Sequence, residues 1–166
     1  LSLHPAPGEV RVMQHFSPEL KQKLETNMSL IFSGETRLSG INNWEVFKGF
    51  FDKNDEIIIG LNKIASLSNK AFQSILNKNY TELIDLIAEE GKERAKLFPN
   101  ILSDKMKSFY SEVSDKCPGA GLKVCGAGGG GCFLLIHLPE YRENIEKIVT
   151  LFDMKILDFK IALPLK

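Results

Sequence analysis

The sequence has little sulfur chemistry, no long apolar run and no excess of charge of either sign. Its three cysteines, Cys117, Cys125 and Cys132, form no C-x-x-C pair. An odd number leaves one over in any disulfide scheme, so a secreted disulfide scaffold is not expected and a cytoplasmic protein is. No apolar stretch reaches the roughly 18 to 20 residues needed to cross a bilayer, and residues 1–16 lack a charged segment followed by an apolar one, so no membrane span or export signal is expected. Lys and Arg number 21 and Asp and Glu 21. That balance argues against a nucleic-acid or anionic-membrane partner, which normally requires a basic excess, and leaves only a local basic cleft open. His4, His15 and His137 are scattered, without H-x3-H spacing or an adjoining acidic cluster, so no metal site is expected from them.

What is present is the composition of one globular domain: 166 residues, 43% hydrophobic and 25% charged. That is enough apolar material for a core and too much for general disorder. The chain opens LSLHPAPGEV, which reads as a segment entered in mid-course, and a piece of a longer protein is expected.

Val10–Phe16 follows a Pro5, Pro7, Gly8 cluster and predicts a strand. Ser17-Pro18 predicts a helix start, with Ser as cap and Pro in the first turn, and Met28–Phe32 predicts an apolar strand that runs into the polar turn Ser33–Arg37. Helical spacing then dominates residues 42–116, with Asn42 or Asn43 as the first cap. Ile57, Leu61, Ile64, Ala71, Phe72 and Ile75 share one face of a long helix from Asp55, and Tyr80, Leu83, Ile84, Ile87, Gly91, Ala95 and Phe98 share a face of the next. Pro99 closes that helix, and Met106, Phe109, Tyr110 and Val113 mark another over Ser103–Ser114. The period then changes. Leu122–Cys125 and Cys132–Leu138 predict strands flanking a glycine loop, Pro139 starts a last helix, and Leu157, Phe159, Ile161 and Leu163 alternate as a closing half-buried strand. About four strands and five helices in one α+β domain is the expectation.

Gly126-Ala127-Gly128-Gly129-Gly130-Gly131 is the segment that demands explanation, because five glycines in six residues cost much conformational entropy on ordering. Glycine permits positive φ and close backbone approach, so successive amides can converge on an anion. A tight strand connection packed against a neighbour is the alternative. The run matches G-x-G-x-x-G formally, but the strand CFLLIHL follows where a Rossmann helix would have to stand. A Walker A loop is excluded because Cys132, not Lys-Ser or Lys-Thr, follows Gly131.

The stretch Gly121–Ile136, GLKVCGAGGGGCFLLI, resembles the third conserved motif of the GHMP kinases, the superfamily of galactokinase, homoserine kinase, mevalonate kinase and phosphomevalonate kinase. Leu30–Ser39, LIFSGETRLS, resembles the strand and Gly-x-Thr-Arg turn that open the C-terminal domain in the heptose kinase and fucokinase branch. The resemblance spans about residues 10–163 and implies a ferredoxin-like α+β C-terminal domain, about four antiparallel strands covered by helices, occupying residues 1–166. It implies ATP and Mg²⁺ as cofactors, with Gly126, Ala127, Gly128, Gly129, Gly130 and Gly131 beside the nucleotide phosphates. It further implies that Gly34, Thr36, Arg37 and Ser39 serve the acceptor substrate, a small molecule such as a sugar or sugar phosphate. The family's Pro-x3-Gly-Leu-Ser-Ser nucleotide loop, catalytic Asp and phosphate-binding Lys belong to its N-terminal domain, and no candidate for them occurs in this sequence. The chain is therefore expected to supply half of an active site, to pair with that domain and to be inactive alone, and a homodimer stays open.

Other residues carry plainer expectations. Cys125 and Cys132 bracket the loop and are expected to be buried small side chains. Asp85, Glu89, Glu90 and Glu93, interleaved with Lys92, Arg94 and Lys96, read as a solvated face with i,i+4 pairs. Trp44, Phe47, Phe50 and Phe51 read as a core helix by default and as an interface with the N-terminal domain otherwise. Two rivals to a sugar kinase remain open: a non-catalytic ferredoxin-like domain that binds a metabolite or protein, and a mevalonate-pathway kinase or decarboxylase of the same superfamily.

Overall fold

Ser17 caps the first helix as its sequence predicts, its Oγ accepting the Leu20 amide at 3.0 Å with Pro18 in the first turn. The computed structural model describes residues 15–36, 44–98 and 100–163. In chain order these form α1 (Pro18–Asn27), β1 (Met28–Phe32), α2 (Trp44–Phe51), α3 (Asp55–Leu76), α4 (Tyr80–Leu97), α5 (Asp104–Lys116), β2 (Gly121–Val124), β3 (Cys132–Ile136), a 3₁₀ turn (Pro139–Tyr141), α6 (Arg142–Leu151) and β4 (Lys155–Leu157). Asn54, Asn79 and Ser103 cap α3, α4 and α5 by accepting the amides of Ile57, Glu82 and Met106. Each restores a partner to one of the amides a helix start leaves open.

The strands form one antiparallel sheet in the order β2-β3-β1-β4. With α5 entering β2 and α6 linking β3 to β4, this is the ferredoxin-like α+β arrangement expected. Alternation along the strands divides the core between the two faces. Ile31, Leu122, Phe133 and Leu135 pack with Phe109 of α5 and Ile145 of α6 in the main cluster. On the opposite face Met28 and Ile136 meet Ile84 and Ala88 of α4. α4 lies directly on β2 there: a Cβ on Gly121 would overlap Ala88, and one on Gly91 would overlap the Leu122 carbonyl. Leu20, Tyr80 and Leu83 extend the core between α1 and α4.

Several expectations are corrected. Residues 10–14 of the first predicted strand lie outside the described residues, and His15 and Phe16 are not in a strand. Asn42, Asn43 and Pro99 also lie outside them. Six α-helices are present among the described residues, and the last begins with a 3₁₀ turn at Pro139. The closing strand is Lys155–Leu157, not Leu157–Leu163. β4 pairs with β1 only over Leu30–Phe32, after which the chain leaves the ladder and the Ile161 amide donates to Glu25 Oε1 of α1 at 2.8 Å. Beyond β4, Phe159 packs against the Met28 and Ile136 cluster without strand pairing, and Leu163 is exposed. α2 is not a core helix. Val46 is buried, but Trp44, Phe47, Phe50 and Phe51 are 48–75% exposed.

Candidate functional site

The glycine loop and the Gly34 turn are one structure. The β1–β3 ladder ends at Phe32 opposite Cys132, and two further bonds carry it into both motifs. Ser33 N donates to Gly131 O at 2.9 Å, and Gly131 N donates to Glu35 O at 3.0 Å. Gly34, at φ +78°, bulges out between those two rungs. Gly130 lies against the same turn, where a Cβ would stand 3.1 Å from Thr36 O.

The loop's composition follows from its geometry. Gly126, Gly128, Gly129, Gly130 and Gly131 all have positive φ, between 70° and 124°, a region that costs other L-residues energy. At Gly128 sterics add to this. A Cβ there would be 2.5 Å from both Ile101 O and Ile101 Cγ1, because the neighbouring Gly129 amide donates to Ile101 O at 2.9 Å. The amides of Gly129 and Gly131 are thus already used within the protein. Gly126 and Ala127 are exposed.

Beneath the turn, two side chains hold it in place, one through a side chain and one through backbone. Ser103 Oγ, the cap of α5, donates to the Glu35 carboxylate, which therefore sits at the positive end of that helix. Lys105 Nζ donates to Ser33 O at 2.8 Å and to Asp153 O at 3.1 Å, tying the end of β1 to the turn before β4. Of the acceptor-side residues, Gly34 and Thr36 are exposed at this junction, and Arg37 and Ser39 lie outside the described residues. Ile101, Ser103 and Lys105 were not singled out by the sequence, since nothing local marks a residue that meets the site only through the tertiary fold.

Other titratable residues sit away from the junction. Glu90 is buried at 7% exposure rather than solvated, and it bonds Arg94 of its own helix and Lys123 of β2. Burial pushes its carboxyl up, but the bonds from Arg94 and Lys123 outweigh that and hold it below the usual carboxylate range. Elsewhere on that face Glu93 pairs with Lys96 at i,i+3 rather than i,i+4, and Glu89 pairs across to Lys63 of α3, a partner outside the expected set. His137 follows β3 and is buried. Its Nδ1 lies 2.9 Å from Leu138 O, which can only accept, so Nδ1 carries the proton and Nε2 accepts from Ser29 Oγ at 2.9 Å. Burial lowers its pKa, helped by the Arg142 charge and opposed by the Leu138 bond. Cys125 and Cys132 are half-buried rather than buried, while Cys117 is fully buried.

Among the described residues no three His, Cys, Asp or Glu side chains converge as a metal ligand set. The nearly side-chain-free loop, with five glycines at positive φ, leaves room for an anion to come close to its backbone. A cavity of about 490 Å³ lies elsewhere, between α2, the start of α3 and the end of α4, and is lined by Glu45, Lys48, Asp52, Ile57 and Leu97. No described helix is long and apolar enough to cross a membrane.

Comparison with known proteins agrees with this architecture. No protein-family model matches the chain. It is 25% identical over 155 residues to the bifunctional fucokinase/GDP-fucose pyrophosphorylase of Arabidopsis thaliana, a match covering 89% of this chain and 14% of that protein. Phosphomevalonate kinase from Streptococcus pneumoniae superposes with a TM-score of 0.62 at 15% identity, covering 81% of this chain and 40% of that one. Mevalonate kinase from Methanococcus jannaschii superposes at 0.60 with 21% identity, covering 89% and 44%. The chain therefore spans less than half the length of each of these proteins.

Proposed function

We propose that this chain, which resembles GHMP-family kinases in sequence and has the fold of their C-terminal domain, is the C-terminal domain of an ATP-dependent kinase that phosphorylates a hydroxyl of a sugar or sugar phosphate. The observation that carries this reading is the joining of the glycine loop to the Gly34 turn by the Ser33, Gly131 and Glu35 backbone bonds. Two motifs far apart in the sequence are thereby held in one hydrogen-bonded junction.

In this reading the exposed edge at Gly126 and Ala127 lies beside the phosphates, and Gly128 and Gly130 let the backbone pass without side chains in the way. Thr36 and Arg37 hydrogen-bond the acceptor, Arg37 through its planar fork, and Ser39 lies beyond them in the same segment. Magnesium-bound ATP supplies the phosphoryl group. An acceptor hydroxyl held in line gains the bond to phosphorus as ADP leaves, and the contribution of this domain is positioning. The nucleotide loop and the base come from an N-terminal domain. The preference for a sugar rests on the Gly-Glu-Thr-Arg turn and the fucokinase similarity.

The test is a phosphoryl-transfer screen over sugars, sugar phosphates, mevalonate and homoserine, run on the full-length gene product beside the 166-residue chain. Transfer to a sugar or sugar phosphate by the long form and none by the short form is expected. Transfer to mevalonate or homoserine would correct the substrate class, and transfer to none of them would leave the binding-domain reading in its place.

A further inference from the structure

We infer that Cys125 and Cys132 are a thiol pair built to close a reversible disulfide across the base of the glycine loop. The β2–β3 register runs Gly121 opposite Ile136 through Val124 opposite Phe133, and one bond carries it a residue past the end of β2, where the Cys125 amide donates to Cys132 O at 3.1 Å. The two thiols are therefore directly opposite and on the same face of the sheet as Lys123 and Leu134. Directly opposite residues in a hydrogen-bonded antiparallel pair have Cα atoms about 5.5 Å apart, within the roughly 4.4–6.8 Å that disulfides span. Their Cβ atoms start about 4.5–5.5 Å apart where a disulfide needs about 3.5–4.5 Å. The closure is small, and the flanking Gly126, exposed at the edge of the loop, supplies backbone that can give.

Accessibility separates this pair from the third cysteine. Cys125 and Cys132 are half-buried at the rim of the sheet, whereas Cys117 is fully buried and burial pushes its thiol up, away from the reactive thiolate. The oxidant is a peroxide. One thiolate attacks a peroxide oxygen, which becomes the sulfenic acid as the O–O bond breaks and water leaves. The second thiol then attacks that sulfur, the S–S bond forms and a second water leaves. Two thiols and one hydrogen peroxide become one disulfide and two waters, two electrons passing from sulfur to the peroxide. A dithiol reverses the step by exchange. The pairing stands on strand register and does not depend on phosphoryl transfer.

The test uses the native protein treated with hydrogen peroxide, then alkylated, digested with trypsin and weighed. Cleavage after Lys123 and Arg142 places Cys125 and Cys132 in one peptide, 124–142, and leaves Cys117 in another. The expected result is peptide 124–142 two hydrogens lighter and unalkylated, restored to double alkylation by dithiothreitol, with Cys132→Ser abolishing the change. Peptide 124–142 remaining fully alkylatable, or carrying only sulfinic acid, or appearing only as a link between two chains, would overturn it.

Discussion

Glu35 and Ser103 meet across the candidate site, the serine hydroxyl donating to the carboxylate while also accepting the Met106 amide at the start of α5. One side chain thus caps a helix and anchors the turn that carries Thr36. Ser103→Ala removes both roles and leaves the carboxylate without its hydroxyl donor, with an expected loss of about 1–2 kcal/mol. Glu35→Gln keeps a hydrogen-bond acceptor and should cost less. Urea unfolding of both single variants and the double variant would show coupling between the two sites, and strict additivity would refute the link.

Gly128 is packed more tightly than Gly130. Gly128→Ala places a methyl group against Ile101 and forces a φ of +84° on a non-glycine residue. A loss of about 2–3 kcal/mol is expected from the combined clash and strain. Gly129→Val puts a β-branched residue at φ +70° in a buried position, so in the full-length protein it is expected to remove activity and to cost at least as much stability as Gly128→Ala. Kinase assays paired with thermal melts separate the two effects, and full activity in Gly129→Val would count against the loop's proposed role.

Lys123 and Arg94 together hold Glu90 charged in a buried position. Lys123→Met withdraws one of the two cations, and a loss of about 1–3 kcal/mol is expected, reduced from the fully buried case because Lys123 and Arg94 are partly exposed. Since the folded pKa of Glu90 is depressed, its stabilisation is present above the ordinary carboxylate value near 4.5 and is lost as pH falls through the folded value. Glu90→Gln should flatten that part of an acid-unfolding curve. An unchanged acid limb would show that other carboxylates govern it.

His137 sets a second pH dependence. Its folded pKa lies below 6.5, so below that value the unfolded chain binds a proton that the folded one resists. Stability is full above the unfolded pKa and falls as pH drops from about 6.5 toward the folded value. Melting temperature followed from pH 8 to pH 5 should decline below pH 6.5 in the wild type and less steeply in His137→Asn.

Phe51 is 75% exposed on α2, so Phe51→Ser should leave the melting temperature of this chain within a degree or so, whereas Val46→Ala on the buried side should lower it. A fall in melting temperature as large in Phe51→Ser as in Val46→Ala would show that Phe51 contributes to the core.

Periodic and punctuated segments were legible in the residues alone. Ser17-Pro18, the stripes of α3, α4 and α5, and the two strands around the glycines needed only local rules. α2 misled because WEVFKGFF has the apolar content of a core helix, and burial is decided by neighbours distant in sequence. Glu90 was misread for the same reason, since its i,i+4 partner Arg94 is visible locally and Lys123 of β2 is not. The loop and the turn could be picked out separately by composition and resemblance. Their union through Gly131 and Glu35, and its support from Ile101, Ser103 and Lys105, is a property of β1 lying beside β3.

The strand order also bears on how the domain folds. β1 sits inside the sheet, yet both of its partners lie at the far end of the chain, with Met28 facing Ile136 and Leu30 facing Leu157. Local contacts such as the α3–α4 hairpin can form early, but closing the sheet requires contacts of high sequence separation, whose loop-closure entropy slows folding. The glycine loop and the Gly34 turn meet only when that closure is made. Their junction is therefore a late structure on the folding path, and the Gly131 amide should gain hydrogen-exchange protection together with the central strands rather than with the helices.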